Sequence, residues 1–111
     1  MKRIDALVPS MKRTEVVDKA LKAGAQGLTL VESRGKGSGQ RPLVGGARGT
    51  ARYIAGYNRI DTITIVCDDS KSDEIINSIM KAAYSGSSGD GIIFVSTIDA
   101  AYKIGTKEKI S

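Results

Sequence analysis

The chain has no histidine, no tryptophan, one cysteine, one phenylalanine and two prolines in 111 residues. Each scarcity excludes something. Without histidine, imidazole acid–base catalysis is ruled out, and a single cysteine leaves a structural zinc site without its usual ligands. The lone Cys67 cannot form an internal disulfide and suits a reducing compartment. No apolar run approaches the roughly 20 residues that cross a bilayer, and the N-terminus has no signal-peptide apolar core. A cytoplasmic chain without membrane insertion is therefore expected. One Phe and four Tyr give no paired stacking platform, which disfavours a nucleic-acid-binding sheet. With no histidine and no recognisable acid–base pair, an enzyme is disfavoured as well.

What remains is ordinary in bulk: 41% hydrophobic and 26% charged residues, as in soluble globular proteins. The length fits one domain, residues 1–111, with a core modest enough that self-association would help it. A formal charge of +5 attracts phosphate ligands or an acidic protein face.

The patterning reads as two similar halves. Ile4, Ala6 and Val8 alternate with Asp5 and Leu7, a strand closed by Pro9-Ser10. From about Lys12 to Ala23, Val16, Val17, Ala20 and Leu21 form one helical stripe, bracketed by Gly24 and Gly27. Leu28 to Ser33 reads as a second strand, with Thr29 and Val31 on its second face. A weakly patterned stretch, roughly 36–58, follows. Ile63, Ile65 and Cys67 then alternate in a third strand, and Ser70 with Asp73 resembles a capping box. Ile75, Ile76, Ile79, Met80 and Ala83 make a second helical stripe, before a strand from about Ile92 to Ile98 and a short segment at 100–104. The order βαββαβ predicts a ferredoxin-like α+β sandwich, two helices on one face of a four-stranded antiparallel sheet. Its other face, half apolar, needs a partner, and self-association is expected.

Two glycine-rich stretches stand out. Ser85-Gly86-Ser87-Ser88-Gly89-Asp90-Gly91 joins the second helix to the last strand, and Arg34-Gly35-Lys36-Gly37-Ser38-Gly39-Gln40 follows the second strand. Glycines that take positive φ turn several N–H groups toward one point, a nest suited to phosphate. Valine at Gly89 or Gly91 is accordingly expected to abolish ligand binding with the fold intact.

These residues resemble the PII signal-transduction family, homotrimeric sensors that bind adenine nucleotides between subunits. The resemblance covers nearly the whole chain. It rests on Gly27-Leu28-Thr29 leading to Glu32 and Gly35-x-Gly37, on the long central segment (the T-loop, 36–58), and on Ser-Gly-x-x-Gly-Asp-Gly before an apolar strand (the B-loop, 85–91). It implies ATP or ADP as regulatory ligand. Thr29 would touch adenine; Gly35, Gly37, Ser38 and Gln40 would line the T-loop start; Thr64 and Val66 would meet ribose and base. Gly89, Asp90 and Gly91 would grip phosphate, with Ile92 and Lys103 beside them.

The chain departs from the family where cations are expected. Ile92 and Gly105 stand at two of three such positions, and only Lys103 keeps a charge. Charge-assisted contacts are worth about 1.5–3 kcal/mol each, so affinity for a third phosphate should fall. The loop arginines Arg41, Arg48 and Arg52 are candidates to compensate or to meet a target protein, and Tyr53 lies near where some relatives carry a modifiable tyrosine. The family glutamine for Mg and 2-oxoglutarate is displaced by one residue to Gln40, which leaves both ligands open. The implied role is regulation of an ammonium transporter or nitrogen-metabolism enzyme through the T-loop. The alternative is a PII-like sensor of ADP, AMP or a cyclic nucleotide in another pathway.

Overall fold

Strand β1 (Lys2–Pro9) runs into a single 3₁₀ turn (Ser10–Lys12) and helix α1 (Arg13–Lys22). Then come β2 (Thr29–Gly35), β3 (Leu43–Gly45), β4 (Arg52–Ile54), β5 (Asn58–Cys67), α2 (Asp69–Ala83), β6 (Ile92–Thr97), β7 (Tyr102–Lys103) and β8 (Glu108–Lys109). The structure, a computed structural model, describes residues 1–35, 43–45, 52–54 and 58–110. β2, β5, β1 and β6 form one four-stranded antiparallel sheet in that order, the ferredoxin-like topology the βαββαβ pattern predicts. β3 pairs with β4, so the weakly patterned stretch contains a short ladder that its sequence does not announce. β7 and β8 make a C-terminal hairpin where the sequence suggested only a short segment.

The core lies between the helices and one sheet face. Ile4, Ile63, Ile65, Ile75, Ile79 and Val16 are fully buried there, each worth roughly 1.5–3 kcal/mol against exposure. Alternation sends every second strand residue to the core, and Cys67 joins it as a small apolar residue. Burial, with Asp68 nearby, pushes the Cys67 thiol above its ordinary value, which keeps it inert. Helix α1 ends as Gly24 foretells. Its φ of +112° lets Gly24 N–H reach Leu21 O at 3.2 Å and Ala25 N–H reach Ala20 O at 3.1 Å, the crossed pair of a Schellman motif.

The start of α2 differs from expectation. The helix begins at Asp69 with Asp68 as its extended N-cap residue, and no side chain caps it. The Asp68 carbonyl accepts from Lys71 N–H at 3.0 Å, and Ser72 rather than Ser70 turns its hydroxyl back, onto Asp69 O. Acidic residues at the first turn still favour the helix dipole. No helix among the described residues is long and apolar enough to cross a membrane.

The second sheet face carries no helix. Val31, Val66, Ile92 and Phe94 on it are about half exposed, mixed with Thr29, Thr62 and Thr64. Large apolar side chains in that number across one face form a patch that water covers poorly.

Candidate functional site

The serine–glycine loop is built around one carboxylate. Ser85 N–H donates to Asp90 Oδ2 at 2.6 Å, Gly86 N–H donates to the same oxygen at 3.0 Å, and the Ser85 hydroxyl donates to Oδ1. These donors, the Ser85 hydroxyl foremost, hold the Asp90 carboxyl below its ordinary range. The ionised form therefore closes the loop. Its contribution is present above the unfolded carboxylate value and is lost as pH falls through the depressed folded one.

Of the loop's three glycines, Gly86 (φ +86°) and Gly91 (φ +113°) adopt positive φ. Gly89 N–H donates to Ser87 Oγ at 3.1 Å and Asp90 N–H to Ser87 O at 3.3 Å. Two of the three N–H groups expected on phosphate are thus engaged inside the loop, and a phosphate would have to compete for them. Gly91 corrects an expectation outright. A Cβ there would sit 2.1 Å from Leu7 O and 3.2 Å from Val8 Cα, so the residue is demanded by the contact between the loop and β1. Valine at Gly91 would strike the fold before it touched any ligand.

Register places the other expected residues. Thr29 pairs with Thr64, and Thr64 with Asp5, in one row across the open face. The Thr64 hydroxyl donates to Asp5 Oδ1 at 2.7 Å, and Arg3 Nε holds the same carboxylate at 3.1–3.3 Å. Thr64 can then accept from a ribose hydroxyl but has committed its own proton. Val66 lies further along the same face. Gly35 pairs with Asn58 where the sheet ends, packed so closely on Ile60 that a Cβ would meet Ile60 Cδ1 at 2.5 Å. Lys103 pairs with Glu108 in the exposed C-terminal hairpin, and around Gly105 there is open space. Arg52 and Tyr53 belong to β4, paired with Gly45 and Val44. Gly37, Ser38, Gln40, Arg41 and Arg48 lie outside the described residues.

The structure does not bring these residues to one spot within one chain. Thr29 on edge strand β2 and Gly91 at the start of the opposite edge strand β6 are three strands and three register steps apart. At strand and residue spacings of about 4.8 and 3.3 Å, that separation is roughly 17 Å. Gly91 and the ends of β2 and β5 do share one end of the sheet. Beside the loop, between α2 and β6, lies an open, mainly apolar cavity of about 440 Å³ bounded by Ile76, Ile79, Met80, Asp90, Gly91 and Ile93. No group of His, Cys, Asp or Glu among the described residues is arranged to hold a metal ion.

Sequence reasoning missed a buried charge. Asp61 is 1% exposed, faces α1 from β5, and accepts from the Ser10 hydroxyl at 3.0 Å. Arg13 Nη1 reaches Glu32 Oε1 at 2.7 Å and stands 3.3 Å from Asp61 Oδ2. The available signal was alternation: Asp61 precedes Ile63, Ile65 and Cys67 in phase, a core-facing slot for a carboxylate.

Comparison with known proteins bears on the whole chain. The sequence model of the family described as "Nitrogen regulatory protein P-II" matches residues 1–108. A protein of that name from Bradyrhizobium diazoefficiens is 37% identical over 110 residues, covering 97% of this chain and 95% of its own length. Namesakes from Synechocystis and Azospirillum brasilense are each 33% identical over 111 residues, covering 98% of this chain and 96% of theirs.

Proposed function

From the premise that the chain belongs to the nitrogen regulatory P-II family, we propose that it is a signal-transduction protein that reads adenine nucleotides and reports through its central 36–58 segment. One observation carries the reading. The glycine loop and the base of the central segment leave the sheet at the same end, flanking β1 and β5. A ligand held on the loop is therefore placed to order or release the segment that meets a target.

The layout of the sheet supports the same reading. Residues expected on one nucleotide are divided between the two edges of one sheet, so a second copy would complete the site. A homotrimer that turns the open faces inward would also cover Val31, Val66, Ile92 and Phe94. The protein would act by conformation rather than by chemistry of its own, in the cytoplasm, on an ammonium transporter or a nitrogen-metabolism enzyme. With Gln40 out of step, Mg and 2-oxoglutarate are secondary ligands at most.

A second reading has its own support. Ile92, 52% exposed, puts an aliphatic side chain next to the loop, and Gly105 contributes no side chain. Such surroundings favour ADP, AMP or a cyclic nucleotide over ATP. Calorimetric titration with ATP, ADP, AMP and cyclic AMP, with and without Mg and 2-oxoglutarate, tests both readings alongside light scattering. The expected outcome is a trimer that binds ATP no more than about tenfold tighter than ADP, a gap of ~1.4 kcal/mol. Ile92→Lys should widen that gap. A stable monomer near 11.7 kDa, or no heat with any nucleotide, would sink the proposal; a hundredfold preference for ATP would sink the argument from lost charge.

A further inference from the structure

Arg13, Glu32 and Asp61, the charged cluster under the end of β2, are not among the residues expected to touch nucleotide. Arg13, the first residue of α1, donates from Nη1 to Glu32 Oε1 at 2.7 Å. The same nitrogen stands 3.3 Å from Asp61 Oδ2 without hydrogen-bond geometry, and that buried oxygen has no donor among the described residues. Glu32 and Asp61 are register partners on adjacent strands. One nitrogen therefore faces two carboxylates and satisfies only the outer one.

Two arrangements follow. In the one described, Arg13 holds Glu32 and leaves a buried acceptor without a donor among the described residues, which is costly. In the other, Arg13 turns fully to Asp61 Oδ2 and gives up an exposed ion pair, which costs little. We propose that Arg13 is a two-position clamp on the loop-side end of β2. β2 is an edge strand exposed from Thr29 to Arg34, so apart from its ladder to β5 and the Ser33 hydroxyl on Ile60 O at 2.9 Å, little else among the described residues ties its end down. With Arg13 on Glu32, that end is fastened to α1. With Arg13 on Asp61, that end keeps its ladder to β5 and the Ser33 bond but loses its tie to α1, so it opens more readily and carries Gly35 with it. Arg13 is then a positioning residue for nucleotide binding, a consequence that rests on the nucleotide reading above; the clamp itself does not.

Hydrogen exchange of the intact protein, followed over residues 29–35, tests the clamp. Glu32→Thr keeps a strand-forming residue too short to reach Arg13, and Glu32→Gln keeps a weaker acceptor. Exchange should accelerate at least about fivefold in Glu32→Thr and by less in Glu32→Gln, with the global unfolding midpoint unchanged. ADP should bind Glu32→Thr about three- to tenfold more weakly, because the binding-ready position of Gly35 is less populated. Unchanged exchange in Glu32→Thr overturns the clamp. Faster exchange with unchanged ADP affinity overturns the positioning role. If the unaltered protein binds no nucleotide, the functional reading fails, while the exchange measurement still judges the clamp.

Discussion

Gly91→Val is expected to give no folded protein, and Gly91→Ala to lose several kcal/mol of stability. Two costs add. A φ of +113° is unfavourable to any side chain, at about 1–2 kcal/mol for left-handed backbone. The larger cost is contact: the new Cβ would overlap Leu7 O, 2.1 Å away, and press on Val8 Cα. Neither partner can rotate aside, because both are backbone of the central strand β1. Relief requires β6 to peel from β1 where Ile92 pairs with Leu7, and the sheet loses an edge. Gly105→Ala is the control, since nothing lies within 4 Å of a Cβ there, and it should be neutral. Urea unfolding monitored by circular dichroism measures both. A wild-type midpoint for Gly91→Ala would mean that the loop does not approach β1 as described.

The second large effect is at Arg13. Among the described residues, Arg13→Ala removes the one cation beside Asp61, leaving a carboxylate 1% exposed with the Ser10 hydroxyl as its one partner. Breaking a buried pair typically costs 3–5 kcal/mol. Arg13 is itself about a third exposed, so water will soften the loss to about 2–3 kcal/mol. Most of the damage comes from the stranded charge rather than from the lost contact. Asp61→Asn in the Arg13→Ala background should therefore recover more than half of it, with a coupling of at least about 1 kcal/mol across the double-mutant cycle. Strict additivity would show that the two residues do not interact.

The parts of this fold that the sequence disclosed are those in which local period and burial agree. Ile4, Ala6 and Val8, or Ile75 and Ile79, lie where alternation and the helical stripe put them, because each needs only a neighbouring apolar layer. Gly24 was legible for the same reason, since a helix end asks for positive φ locally. Asp61 was not. A carboxylate in a core-facing slot reads as the end of a strand unless Arg13 and Ser10, distant in sequence, are known to be beside it. The first turn of α2 misled in another way: Asp68, Asp69 and Ser70 are all competent caps, and only the backbone path decides among them. For the site, the glycine loop was legible as a turn with a purpose, but several of its residues could have held its backbone as Asp90 does, and the collision awaiting any side chain at Gly91 depends on a strand formed at the other end of the chain. The spread of Thr29, Thr64 and the loop over opposite edges of the sheet was likewise invisible, since strand order is a property of the assembled sheet.

The central place of β1 has a consequence for how the molecule comes into being. The earliest strand of this sheet, β1, pairs along its whole length with β5 and along Lys2–Leu7 with β6, so its hydrogen-bonding partners are the third and the last strands of the sheet to be made. Sheets closed by such distant pairings fold slowly, because chain entropy is surrendered before the ladder repays it. During synthesis the second edge of β1 keeps its backbone groups unpaired until residues 92–97 emerge to seal it. A nascent chain that stalls before Ile92 therefore carries an open edge on its central strand, a target for chaperones or for another copy of itself.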